Sequence, residues 1–555
     1  GEVVSTDVLI IGGGIAGLLA TIKAALTRPV SVLLVDRATP GFAGQGPFIG
    51  GQCGCTPEGI LDDWLKWRVE IGGYLNDQEV TYAYGKAMGI APPEMLDWGV
   101  PLQTDEKGGL DVLLDGSGSR ALSPVVRWPS PPDVMRFLRG KARSEGASIL
   151  PRTMVVELLM EGERVAGAVG FSIDSGQFYI LKAKATIIAN GACMYRYRTL
   201  FQCNCGEGVA MAYNVGAEMR NAEFANTIAC STKDGMRGGH ASFWPTENAI
   251  GENIAKKYGI KEAGDYNLMA PAVYKEIQEG RGPIYSNEST PHRQESDTRW
   301  IRSRKWLRMK ERLGLLPDEK VEMILAQSNR QGPIRVDPHC RATLPGLWAV
   351  GDASVGGSGC EGALAPISTV GGIGVGLAMA MGYIGGLDAA EYASEAAAPE
   401  VDSAQVSRLK EEIFAPLKRQ PGLEPSLEPS QAIYLVQEAI MPIKYNYIRS
   451  GERMQEALAK VERVKEKLPT LWAKDLHYLV KCHQAASMTL CAEMNYRSAL
   501  MRKESRGAHM REDYPERDDD NWLKWIIIEK EREVMKMWTE PVPIDKYKIK
   551  PHKKA

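Results

Sequence analysis

Six residues near the start of the chain, Gly12-Gly-Gly14-Ile-Ala-Gly17, limit what it can fold into more than any other stretch. Before them runs Asp7-Val-Leu-Ile-Ile11, a short apolar segment of the kind found in fully buried parallel strands. After them comes Leu18 to Leu26, a run of good helix formers. A strand, a glycine turn and a helix in that order make a dinucleotide cradle. Gly12 permits the tight turn, Gly14 lets backbone N–H groups approach a pyrophosphate, and Gly17 allows the helix to pack closely on the strand, with Ala16 in the same turn. A second buried strand, Val32-Leu-Leu-Val35, ends at Asp36 and Arg37, about 20 residues past the glycines. The Asp36 carboxylate suits a ribose 2′-OH and would repel a 2′-phosphate, which disfavours an NADP-type ligand. FAD and NAD both fit this motif. The pattern predicts an α/β, Rossmann-like fold.

The far end of the chain decides for a flavin. Thr343-Leu-Pro-Gly-Leu-Trp-Ala-Val-Gly-Asp352 reads as a turn, a buried strand and an acidic residue, and resembles the second fingerprint of two-dinucleotide-fold flavoproteins, which implies that Asp352 holds the ribitol. From Gly362 to Leu387 there is no charged residue. That stretch is long enough to span a bilayer, but it is mostly Gly and Ala and reads as a buried helix. Its N-terminus, with Ser368 and Thr369, would aim backbone donors at the N1/O2 edge of the flavin.

Charge and cysteine content exclude other classes. With 67 Lys+Arg against 69 Asp+Glu in 555 residues, both signs interspersed, the chain has no basic stripe for nucleic acid and no polybasic membrane anchor. The ten cysteines form no regular framework, and the close pairs Cys53/Cys55 and Cys203/Cys205 lack zinc-knuckle spacing, so no metal site is expected. The chain runs from its first residues into a strand without a secretory pattern, and a cytoplasmic location is the expectation.

With both fingerprints in place, the chain resembles the flavoprotein subunits of the succinate dehydrogenase and fumarate reductase superfamily over nearly its whole length. Gly44-Gln45-Gly46 matches the family's flavin loop. Val165 to Phe171, followed by Leu181 to Gly191, resembles its hairpin and following strand, and Glu504-Ser-Arg-Gly-Ala-His509 with Arg511, Asp513 and Arg517 matches its C-terminal signature. The resemblance implies that Gln45, Gly46, Val155, Asn190 and Gly191 also meet the cofactor. Lys233-Asp-Gly235 and Glu247-Asn-Ala-Ile-Gly-Glu252 are closest in look to the alpha subunit of dissimilatory adenylylsulfate reductase.

The substrate residues of that superfamily do not carry over. Where fumarate-type enzymes have a proton-donating arginine, Ala270-Pro271 is followed by Ala272; their histidine falls on Ser328, and their carboxylate-clamping arginine on Ala363. The active-site arginine of adenylylsulfate reductase falls on Ser231. A guanidinium cannot become a methyl group and keep its anion, so C4-dicarboxylate chemistry is not expected. The loop from Gly41 to Pro47 contains no histidine, so FAD should be held without a covalent bond. Candidates for the chemistry are His240, in a Gly-rich loop; Arg330, near the missing histidine; and Cys360, at a place where the family has glycine beside the flavin. Each has a plain alternative: an exposed loop histidine, a salt-bridge arginine, a small buried thiol.

The expected organisation is a two-segment FAD-binding domain over residues 1–225 and 327–394, an inserted α+β capping domain over 226–326 with the substrate between the two, and a C-terminal helical domain with an extended tail over 395–555. No iron-sulfur cysteine spacing exists in the chain. Electrons would therefore pass to or from another protein, and the resemblance points to a ferredoxin-like iron-sulfur subunit in a hetero-oligomer. The leading expectation is an FAD-dependent oxidoreductase doing two-electron chemistry on a small organic or sulfur-containing substrate. The alternatives are an adenylylsulfate reductase with a rebuilt site, a fumarate/succinate-type dehydrogenase, and a flavin electron-transfer module without a substrate of its own.

Overall fold

The computed structural model describes the chain except for residues 50, 114–123, 197–202, 233–237, 241–245, 261–265, 287–309, 317–318, 365–371, 422–426 and 552–555; side chains are also undescribed at 226–232, 238–240, 266–270, 286 and 326–329. It divides into two compact units, one of Gly1–Arg196, Phe201–Asn226 and Asn329–Ala555, the other of Tyr197–Leu200 and Thr227–Ser328.

The first unit is built on a seven-stranded sheet. Its parallel part runs Ser148–Leu150, Val32–Val35, Glu2–Ile11, Phe178–Ile188. The apolar segments read as buried strands are buried: Val8 to Ile10 are at 0% exposure and Val32 to Val35 lie within the core. Along its other edge, Phe178–Ile188 pairs antiparallel with Arg164–Ser172 over its first half and parallel with Leu347–Ala349 over its last three residues. The second fingerprint thus enters the same sheet as the first.

The later part of the uncharged stretch lies in a helix, Ile373–Glu395, with Gly382, Gly385 and Gly386 among its buried residues. Its glycines have a packing reason. A Cβ at Gly382 would overlap the carbonyl of Ala16, and one at Gly386 that of Ala20, so this helix lies backbone to backbone on Ile15–Thr27. Near its end Asp388, itself buried, accepts from Arg341 Nε at 2.6 Å and from the Trp348 indole at 2.9 Å. That anchors the strand Leu347–Ala349 to the helix.

Helices Pro429–Ile440, Gly451–Lys467 and Leu476–Met501 pack on one another, as their helical spacing predicts. They share one apolar core with the sheet, in which Val436, Met454 and Met488 join Leu9 and Phe171. The tail is a hairpin, Lys524–Glu531 with Val534–Pro541, whose first strand pairs with Met219–Arg220. The second unit is α+β: a five-stranded sheet in the order Gly238–His240, Asn226–Thr232, Val321–Asn329, Ile284–Ser286, Thr246–Glu247, with helix Tyr266–Gln278. Its core contains Ile254, Val273, Ile284 and Val321.

The C-terminal signature folds into a buried charge network. Arg502 Nε donates to Glu223 at 2.8 Å and its Nη1 to Glu504 at 2.9 Å, while Arg506 grips Glu504 through two bonds of 2.8 Å. His509, fully buried, offers Nδ1 to Arg449 and pairs Nε2 with the Arg502 carbonyl at 3.1 Å, which makes it a neutral imidazole. Burial first, and then the charges of Arg449 and Arg502, push its pKa well below the ordinary histidine value. In the unfolded chain the same ring takes up a proton below about pH 6.5, so His509 contributes stability that is present above that pH and lost as pH falls. In equilibrium denaturation, the loss of stability between pH 6.5 and 5.5 should be smaller in His509→Gln than in the parent chain by about 1 kcal/mol.

Candidate functional site

The glycine turn is shaped by backbone contacts on two sides. Gly12 has φ +113°, and a Cβ on it would lie 2.6 Å from the Ala189 carbonyl and from Asn190 Cα; one on Gly17 would overlap the Gly12 carbonyl. Gly14 differs from both. Its backbone is extended, at φ −77° and ψ −169°, and a Cβ built on it meets nothing within 4 Å. Nothing in the protein therefore requires glycine there. The space belongs to a ligand at the helix N-terminus, whose first turn carries no acidic residue and whose cap makes no side-chain hydrogen bond.

Around this cradle stand most of the predicted contacts. The Asp36 carboxylate accepts from the backbone N–H of Gly13 and of Ala38, each at 2.5 Å. With each oxygen taking one bond, lone pairs remain for ribose hydroxyls. Arg37 pairs with Glu207 at the start of helix Glu207–Asn214. Burial opposes that carboxylate's charge, but Arg37 and hydrogen bonds from Gln484 and the Cys205 N–H hold its pKa below the usual range. Val155 is buried at a register shift in its strand, two residues beyond Thr153, whose N–H donates to the Asp36 carbonyl at 2.9 Å. Asn190 Oδ1 is buried without a hydrogen-bond partner, an orphan acceptor in a row of backbone turns where Gly191 has φ +82°.

The two fingerprints meet. Gln45 Nε2 donates to Asp352 Oδ2 at 2.7 Å across 307 residues of sequence, and Gly46 beside it is buried. Arg330 is half-buried, and its guanidinium makes no hydrogen bond or ion pair with any described residue. Burial lowers its pKa and the negative charge of Asp352 offsets part of that. An arginine without a hydrogen-bond partner beside the second fingerprint is a ready anion contact.

The other chemical candidates are placed differently. His240 lies in the strand Gly238–His240 of the second unit, paired with Ala229, and its side chain is outside the described residues. Ser368 and Thr369 are outside them too, as are the side chains of Ser231 and Ser328; helix Ile373–Glu395 is described only from its cap at Gly372. Cys360 is buried with Sγ 3.5 Å from the Val355 carbonyl, and burial pushes its thiol up to about 12. It carries no thiolate at neutral pH and acts as a packed thiol in this state. Cys53 and Cys55 are buried as well, Cys55 at about 11.

Sequence reasoning missed the charges that hold this loop. Arg68 and Glu361 form a buried pair at 2.5 Å, and Arg220, buried, pairs with Asp77 at 3.2 Å. Ala363, where a carboxylate-clamping arginine was sought, is fully buried in an apolar cluster with Leu75, Phe224, Trp525 and Tyr547. The advance signal was Glu361 itself, the one charged residue in the sequence between Asp352 and Asp388.

Comparison with known proteins agrees with this geometry. The FAD binding domain family matches residues 7–365, and the fumarate reductase flavoprotein C-terminal family matches residues 437–555. An uncharacterized FAD-dependent oxidoreductase of Methanocaldococcus jannaschii is 26% identical over 96% of this chain and 97% of its own. A fumarate reductase (CoM/CoB) subunit of Methanothermobacter marburgensis is 23% identical over 96% and 98%. Among solved structures, an E. coli quinol fumarate reductase superposes with TM-score 0.85 at 20% identity over 100% of this chain and 99% of its own. The adenylylsulfate reductase of Archaeoglobus fulgidus superposes with TM-score 0.79 at 21% identity over 98% and 96%.

The open space at Gly14 separates binding from folding. Gly14→Ala should leave the cofactor-free chain as stable as the parent, or more stable by under about 1 kcal/mol. The added methyl should nevertheless weaken FAD binding about 10-fold or more, as overpacking a filled site does. Thermal melts of the stripped protein and fluorescence titration with FAD check the two halves.

Proposed function

The chain belongs to the FAD-binding flavoprotein family that includes fumarate reductase and succinate dehydrogenase subunits, and on that premise we propose that this FAD-dependent oxidoreductase acts on a small organic or sulfur-containing substrate with one anionic group and exchanges electrons with a ferredoxin-like iron-sulfur subunit. Bound FAD supplies two-electron transfer. What the chain adds is a polar floor and one cation. Asp36 receives the adenosine ribose, Gln45 and Asp352 the ribitol side, and the loop from Gly41 to Pro47 offers no histidine for covalent attachment.

The observation that carries the substrate reading is Arg330. A half-buried guanidinium with no hydrogen bond or ion pair to a described residue sits where the charge of Asp352 reaches it. It can hold one carboxylate, sulfonate or sulfite-like anion through paired N–H donors. A second clamp of the fumarate type is not available at position 363, which is a buried methyl group. Several of the relatives bear the names of fumarate reductase subunits, which supports a larger assembly, and the lack of iron-sulfur cysteine spacing in this chain supports a separate electron carrier.

Anaerobic spectra of the holoprotein, titrated with AMP plus sulfite, succinate, thiols and sulfonates, test the reading. Bleaching by a mono-anionic thiol or sulfonate supports it; bleaching by AMP plus sulfite, or by succinate, replaces it with the corresponding family activity. Where a substrate bleaches the flavin, Arg330→Ala should raise its half-saturating concentration about 10- to 100-fold, the worth of a charged hydrogen bond, while flavin content stays near that of the parent. Acid precipitation should leave the yellow chromophore in the supernatant.

A further inference from the structure

The turn that follows Asp352 has four consecutive carbonyls, each of which accepts a hydrogen bond from Arg220, Asp77 or Asn76. Arg220 Nε donates to Gly357 O at 2.6 Å and its Nη2 to Ser358 O; the Asp77 N–H donates to Gly359 O at 3.1 Å, and Asn76 Nδ2 to Cys360 O at 2.9 Å. Gly359 has φ +76°, and its Cα lies so close that a Cβ would be 3.0 Å from both Arg220 Nη2 and Asp77 Cβ. The turn is also bonded to the segment carrying Arg330, since the Gly357 N–H donates to Gly332 O at 2.9 Å and a Cβ on Gly332 would overlap the Asp352 carbonyl. Asp352, Arg330 and the turn therefore move as one bonded piece.

The holders are in turn held by the end of the chain. Arg220 pairs with Asp77 Oδ2 and stacks on Trp525 at 4.7 Å, and the Trp525 indole donates to Leu75 O at 2.7 Å. Tyr547, nearly buried, donates its hydroxyl to Asp77 Oδ1 at 3.3 Å. Gln78 clasps the backbone of Ile549 from both sides, donating to its carbonyl at 2.7 Å and accepting from its N–H at 3.2 Å. The hairpin that leads into this tail belongs to a three-stranded sheet of its own, separate from the seven-stranded one.

We propose that Arg220 and Asp77 are positioning residues for the Asp352–Ala363 turn and that the C-terminal segment from Val542 to Lys550 is the strap that sets them. With the strap seated, Asp77 is fixed by Tyr547 and presents one oxygen to Arg220 and its own N–H to the turn. With the strap displaced, Asp77 and Arg220 lose a wall and a partner, and the turn carrying Asp352 loosens with them.

The test uses the FAD-loaded full chain, a form ending at Pro541, and the double variant Tyr547→Phe/Gln78→Ala, which keeps the tail but unfastens it. Backbone hydrogen exchange at residues 357–362 should quicken about 10-fold in both altered forms, the consequence of lost local hydrogen bonds, with residues 182–188 unchanged. The two-electron midpoint potential of the flavin should shift by about 30 mV, a 10-fold change in the relative hold on its two redox states. Unchanged exchange at 357–362 together with an unchanged potential overturns the proposal. So does exchange that quickens equally at 182–188, which marks the tail as general support. If the shortened chain does not fold, the double variant decides alone. None of these readouts depends on which substrate the enzyme uses.

Discussion

Three backbones touch in this protein with no side chain between them, and most of the first unit depends on that contact. The turn at Gly12 lies against Ala189 and Asn190, helix Ile15–Thr27 against the Gly12 carbonyl through Gly17, and helix Ile373–Glu395 against the same helix through Gly382 and Gly386. Such approach places the helix N-terminus, with its free N–H groups, at the end of the strand Glu2–Ile11. It also brings the Asp352 turn, which precedes the long helix, back to the first flavin loop. A methyl group at any of these glycines would push one layer from the next, and the Gln45–Asp352 bond reports that the layers are in place.

The helical C-terminal part depends on a different kind of contact. Glu223, Arg449, Arg502, Glu504, Arg506 and His509 are all buried, and their bonds join a turn after the sheet to two helices and the signature loop. A buried network of this kind contributes little net energy compared with an apolar core, but a missing member leaves an unpaired charge. It specifies geometry more than it stabilises. The outcome is that the hairpin and tail, which come after the signature, are delivered to Asp77 and Arg220.

Legibility in the sequence followed from range. Strand, turn and helix at 7–26 could be read because their cause is local: β-branched residues, then glycines, then helix formers. The uncharged helix was legible as buried because Gly and Ala cannot make a lipid-facing surface of much apolar area, and its glycines found carbonyls to pack on. Asp36 and Asp352 were singled out by spacing and resemblance. Arg220, Asp77 and Arg68 were not, because nothing in their local sequence marks the partner, which in one pair lies 143 residues away. Tyr547 meets Asp77, and Ile549 meets Gln78, across 470 residues or more. Cys360 was chosen because the resemblance places it beside the flavin, yet its burial against Val355 O decides its chemistry.

The same pattern explains why scaffold and substrate site diverge. The cradle is made of backbone, glycine and two carboxylates, so it tolerates change elsewhere. An arginine clamp is one side chain on one loop, and at its place Ala363 shares an apolar cluster with Trp525 and Tyr547 from the tail. Once Trp525 stacks on Arg220 and its indole reaches Leu75 O, restoring a charge at position 363 would bury it beneath aromatic rings without an anion. The tail therefore packs around the position where the clamp is missing, and the arginine proposed for the substrate, Arg330, stands elsewhere in the chain.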